Sequence, residues 1–288
     1  MSLYTSEDKD LDFDKIIRTY KIPPQPHLIK ELEKANKDLN KIADIISQDV
    51  ALSAGILQTI NSPFYGLATK ITSIRQATVL LGLNQVTNII NCQLIKANMG
   101  KYLNKDLDDF WTSATDVAKT SSALVKTLGF GSPDEAYMLG LFHNCGIPIM
   151  MDKFADYGDI IQQAYTVGDK RITDVENMRY STNHAVLGYM VARTWKLPEH
   201  LRIAIRDHHN FDRLSFNYKN NDTDTEADTG LAILKMAEHI SKVHIVLGKD
   251  HVDNEWEQIK AGLFNYLGIS EHDFFDISDS VIDKLNMY

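Results

Sequence analysis

Apolar residues recur three and four positions apart over most of the chain, the period of helices that bury one face. No stretch alternates apolar and polar residues between hairpin turns, so strands are not expected. A first helix, Phe13 to Tyr20, is expected to end before Ile22-Pro23-Pro24-Gln25-Pro26, where the proline rings enforce a stiff, extended connector. Leu28, Leu32 and Ala35 mark a second helix, and Leu39, Ile42, Ile45 and Ile46 a third. Asp49 is placed to cap a fourth, with Ala54, Leu57 and Ile60 facing inward. Asn61 to Gly66 reads as a loop whose Phe64 and Tyr65 pin it to the helices. Ser73 then caps an apolar helix, Ile74 to Leu81, that stops at Gly82, and another runs from about Gln85 to Ala97.

The second half opens with a long helix carrying Phe110, Trp111, Ala114, Val117, Ala118, Leu124 and Leu128, ended by Gly129. Ser132-Pro133-Asp134-Glu135 is a strong helix start, with Ser as N-cap, Pro at the first helical position and Glu closing a capping box. The helix that follows is apolar nearly all round through Met151, which predicts the buried centre of the domain. Further helices are predicted at about 155–167, 173–195 and 199–209. Asp212 to Asp228 is polar and reads as an exposed, mobile loop, with two or three helices after it.

Composition narrows the class. With 288 residues, 44% apolar and 24% charged, the chain can bury a core large enough to need neither disulfide nor metal for stability. A net charge of −9 without a lysine or arginine run opposes binding to nucleic-acid backbones or anionic lipid. No stretch approaches the roughly 18 apolar residues of a membrane span, so no membrane insertion is expected. The acidic start, MSLYTSEDKDLDFDK, lacks the apolar core of a signal peptide, and a cytoplasmic location is expected. Cys92 and Cys145 sit in apolar company without the paired spacing of a zinc site, and read as buried, reduced thiols.

Histidines carry the candidate chemistry. His143 precedes Asn144 in the central apolar segment, His184 begins HAVLGYMVARTW, and His208 and His209 are adjacent. Neutral imidazoles gathered from several helices can bind a transition metal. They can equally be core residues that satisfy backbone carbonyls and one another. Trp111, Trp195 and Trp256 lie on periodic helices and read as packing residues.

The order of motifs adds a resemblance. LGLFHNCGI, then NHAVLGYMVARTWKLPEHLRIAIRDHH, then LAILKMAEHIS resembles the HD superfamily of metal-dependent phosphohydrolases. IPPQPHLIKEL and IADIISQDVALSAGILQTINSPFYGLATKITSIRQATVLLGLNQVTNII are similar to the HDOD family, a signalling relative of those enzymes. The resemblance implies an all-α, multi-helical HDOD/HD-domain-like bundle with an N-terminal helical lobe. It divides the chain into an extension (1–21), an HDOD domain (22–241, with a lobe at 22–105 and a degenerate HD core at 106–241) and C-terminal helices packed on the core (242–288). An active HD enzyme needs an early His, a His-Asp pair and a late Asp around its metal. By resemblance Ser113 stands at the first, His143 and Asn144 at the pair, and Glu238 at the last, while Ile147 replaces a lysine that often follows. No catalytic residue, metal or cofactor is therefore expected. His143, His184, His208, His209 and Glu238 remain as a residual ligand or metal pocket. The implied role is a non-catalytic signal-transduction module acting on signalling proteins or a nucleotide second messenger. The alternative is a residual metal-dependent phosphohydrolase acting on a nucleotide or cyclic dinucleotide.

Overall fold

The structure is a computed structural model and describes residues 13–35, 38–61, 67, 69–102, 107–168, 170–214 and 225–285. Every regular element among them is helical. In the first half these are α1 (Phe13–Thr19), α2 (His27–Lys34), α3 (Leu39–Ser47), α4 (Val50–Ile60) and α5 (Ile74–Tyr102). Asp38 caps α3 through the amides of Asn40 and Lys41, and Asp49 caps α4 through that of Leu52. Of the expected inward residues of α4, Ile60 is buried and Leu57 packs partly buried against the core, and Leu52 and Ile56 are buried beside them. Ala54 is exposed, because the stripe that meets α5 lies two positions away. Gly82 breaks α5 where the sequence places a stop, with φ +73, a backbone that other residues rarely adopt. The aromatics of the 61–66 loop and the side chain of Cys92 lie outside the described residues.

The second half holds α6 (Asp108–Leu128), α7 (Pro133–Phe142), α8 (Gly146–Lys153), α9 (Tyr157–Thr166), α10 (Ile172–Tyr180), α11 (His184–Thr194) and α12 (Glu199–Asp207). After them come α13 (Thr225–Ile240), α14 (Val243–Gly248), α15 (Asn254–Leu267) and α16 (Glu271–Leu285). Gly129 ends α6 in the left-handed conformation, and the Ser132 hydroxyl caps α7, both as the sequence implies. Three expectations are corrected. The apolar segment is two helices, not one, divided by a turn at His143–Cys145. The predicted helix at 173–195 is likewise two, broken where Ser181 turns left-handed and Asn183 caps α11. The expected loop at 212–228 is also shorter: Phe211–Leu214 is a 3-10 turn and α13 begins at Thr225, while 215–224 lie outside the described residues.

Two apolar cores result. The smaller joins α2 to α5 through residues such as Leu32, Ile42, Ile46, Ile56, Ile60, Ile74 and Ile90. The larger centres on α6, α7, α11 and α13, with Val117, Leu124, Phe142, Leu187 and Leu234 fully buried. Trp111, Trp195 and Trp256 are packing residues, as expected: Trp111 meets Phe110, Trp195 meets Phe142, and Trp256 stacks on His239. Cys145 is buried and free.

Candidate functional site

The helix breaks build the site. The turn after α7 leaves His143 and Asn144 in the larger core. The break at Ser181 sets His184 at the first turn of α11. The end of α12 delivers His208 and His209. All five are buried. A close approach holds the arrangement: Gly146 lies so near the His184 carbonyl that a Cβ there would collide with it.

Each imidazole is oriented through Nδ1. His184 Nδ1 lies 2.8 Å from Glu176 Oε2, and that carboxylate also accepts the Tyr157 hydroxyl. His208 Nδ1 donates to the Ile205 carbonyl at 2.7 Å, and His209 Nδ1 lies 2.9 Å from Glu255 Oε2. The Nε2 atoms then converge. His184 Nε2 is 3.1 Å from that of His208 and 3.1 Å from that of His209. The Asn144 amide oxygen is 3.3 Å from His208 Nε2. Burial, reinforced by the neighbouring imidazoles and by Lys235, pushes the pKa values of His208 and His209 well below the ordinary histidine value, so both rings are neutral.

A second cluster adjoins the first. His143 Nδ1 bonds the Gly140 carbonyl at 2.7 Å, and its Nε2 lies 3.2 Å from Glu238 Oε1. Lys235 Nζ sits 2.7 Å from Glu238 Oε2 and 2.9 Å from Glu255 Oε1. Burial opposes the lysine charge, but the two carboxylates outweigh it and hold its pKa above the ordinary value. Burial also opposes the charge on Glu238, where Lys235 and then His143 prevail and lower its pKa. On Glu255 burial prevails and raises it. The space that reaches Lys235, Glu238 and Glu255 is about 20 Å³, room for a single water.

The structure therefore brings together His143, Asn144, His184, His208, His209 and Glu238. Ser113 is buried on α6 and Ile147 on α8, and neither offers a metal a ligand of the kind the HD pattern uses. The donor set that an HD-type metal would use around His143 does not fit one: Asn144 is neutral, and the remaining carboxylate is engaged by an ammonium. His184, His208 and His209 each offer a ring nitrogen within 4.8 Å of the others, a grouping that could hold a metal ion. Sequence reasoning missed four residues here. Lys235 was open to notice, as the lone cation in an apolar run three positions before Glu238. Tyr157, Glu176 and Glu255 gave no signal, since each sits in an ordinary amphipathic segment.

Comparison with known proteins agrees with this scaffold. The HDOD domain family matches residues 22–211, and the chain belongs to that family. An uncharacterized protein of Treponema pallidum (strain Nichols) is 27% identical over 208 residues, 69% of this chain. This chain covers only 39% of that relative's length. A solved HDOD domain protein of unknown function from Geobacter sulfurreducens superposes with TM-score 0.64 at 20% identity, over 95% of this chain and 99% of that one. A solved candidate phosphohydrolase from Shewanella amazonensis SB2B gives TM-score 0.66 at 21% identity, over 94% and 95%. At these identities the two structures establish the shared fold.

Proposed function

We propose that the chain is a non-catalytic regulatory module of signal transduction, in which an HD-phosphohydrolase scaffold serves recognition rather than hydrolysis. The observation that carries this reading is the Lys235 ammonium between Glu238 and Glu255. Its single positive charge engages the carboxylates that a hydrolytic metal pair would need, in a space too small for a nucleotide. Its partners, on this reading, are signalling proteins or a nucleotide second messenger in the cytoplasm, met through the surface and not through the buried centre. Division into an extension, an HDOD domain and C-terminal helices belongs to the same proposal.

The convergence of three histidines favours one rival, a residual phosphohydrolase like the candidate enzyme that shares the fold. The two separate on turnover. Purified chain, supplied with manganese, zinc or iron, is expected to hydrolyse cyclic dinucleotides, cyclic nucleotides and deoxynucleoside triphosphates no faster than the blank. Turnover that disappears in His143→Ala would establish the enzyme instead.

A further inference from the structure

Two small cavities lie along the first turn of α15, each of about 20 Å³. The inner one is lined by Lys235, Glu238 and His244, all buried. The outer one is lined by Ala164 and reaches Lys170 and Gln258, both exposed. Tyr165, Asp253 and Glu255 line both, so the cavities share a wall. Two side-chain bonds close the seam between α15 and the end of α9. Asn254 Nδ2 donates to the Tyr165 carbonyl at 3.2 Å, and Gln258 Nε2 to the Gly168 carbonyl at 2.9 Å. The Tyr165 carbonyl belongs to the last turn of α9, where carbonyls have no amide of their own helix to bond.

The inner cavity carries unmet polar demand. Lys235 Nζ and Glu238 Oε2 are shut off from solvent, 2.7 Å apart. That is an ion-pair distance, but neither atom has a hydrogen-bond partner in a suitable direction among the described residues. An ammonium has three hydrogens to place, and a buried polar atom without a partner costs free energy. A cavity of this size with several polar partners is the kind that water fills. We propose that Lys235 Nζ and Glu238 Oε2 bind an ordered water in the inner cavity, and that the outer cavity is the passage by which this water exchanges with solvent past the Tyr165 ring. The passage admits nothing larger than water, since each cavity has room for about one molecule. It goes beyond the regulatory reading and does not depend on it, because solvent can reach the lysine whether or not the centre takes a ligand.

The test has a structural and a kinetic arm. A crystal structure at a resolution that shows ordered water is expected to place one within hydrogen-bond distance of Lys235 Nζ and Glu238 Oε2. A dry inner cavity overturns the water site. Deuterium exchange at the imidazole C2 position of His244, read by mass spectrometry, follows solvent entry into the inner cavity. Backbone amide exchange in α6 and α13 follows opening of the core itself. Ala164→Val, which fills the outer cavity, is expected to slow exchange at His244 about fivefold or more. Tyr165→Val, which removes the shared ring, is expected to speed it about tenfold or more. The amides of α6 and α13 are expected to change in neither variant by a comparable factor. His244 rates that both variants leave unchanged, or that move only in step with those amides, overturn the passage, because solvent then arrives by opening of the core. The crystallographic arm decides the water site even where neither variant folds.

Discussion

Asp253 isolates what one buried carboxylate contributes. Its Oδ2 lies 2.8 Å from His239 Nδ1 and 3.4 Å from His244 Nδ1, while Oδ1 accepts the Trp256 amide and caps α15. Burial works to raise its pKa, but the bonds from His239, His244 and the Trp256 amide outweigh burial and hold it far below the usual carboxylate range. A folded-state value below the unfolded value of about 3.9 stabilises the fold fully above that pH, and the contribution fades as pH falls. Asparagine caps a helix as well as aspartate does, so Asp253→Asn keeps the cap and removes the charge. The variant is expected to lose about 1–2 kcal/mol at pH 7. The gap to wild type should narrow as pH drops below about 4. Urea unfolding at pH 7, 5 and 3.5 measures it, and a constant gap contradicts the assignment. Residue identity made one half of the centre legible in advance: His143, Asn144, His184, His208 and His209 stand out in the letters themselves. The other half was not legible. That Glu176 lies behind His184 and Glu255 behind His209 depends on where α10 and α15 pack, which no local pattern encodes.

Helix positions were largely legible, because each depends on a stripe and a cap that lie close together in sequence, as at Asp49, Gly129 and Ser132. The two missed breaks, at His143–Cys145 and Ser181–Asn183, are the ones that create the site. Periodicity hides them, since apolar residues continue across the first and helix formers flank the second. Their cause is tertiary. The turn after α7 brings Gly146 onto the His184 carbonyl, and Pro148, without an amide hydrogen, is tolerated in the first turn of α8. Gly146→Ala therefore has to push α8 away from α11. Overpacking of this kind costs about 1–3 kcal/mol or more. Because the displaced backbone carries His184, the variant is also expected to disturb the packing of the histidine cluster. Thermal unfolding reads the loss of stability, and the ring-proton NMR signals of the buried histidines read the disturbance. Full stability in Gly146→Ala would mean that the helices part without cost. The same experiment on Gly140→Ala, whose Cβ would lie 2.7 Å from Ala118 Cα between α6 and α7, is expected to lower stability without displacing His184, His208 or His209.

At the scale of the molecule, the two cores differ in how much holds them. The core of α6, α7, α11 and α13 is large and includes Ile22, Ile29 and Ile95, so both ends of the N-terminal lobe are anchored in it. The lobe's own core is far smaller. Polar bonds that join them among the described residues include Trp195 Nε1 donating to the Pro23 carbonyl at 3.1 Å, Gln25 Nε2 to the Trp195 carbonyl at 3.3 Å, and Asn88 Nδ2 to the Asp134 carbonyl at 2.9 Å. Opening free energy follows local apolar burial, and cooperative units tend to coincide with separate cores. Native-state hydrogen exchange is therefore expected to find two units, with amides of α3 and α4 exchanging through an opening of lower free energy than those of α6 and α13. Trp195→Phe keeps most of the buried ring and removes the bond to Pro23. It should cost about 1 kcal/mol and lower the opening free energy of the lobe more than that of the core. The argument is specific to the separation of the two clusters. If α3, α4, α6 and α13 all exchange at one free energy that Trp195→Phe lowers equally, the lobe is an integral layer of a single cooperative unit. A lower value confined to α3 and α4 makes the lobe the part that can move while the histidine centre stays closed.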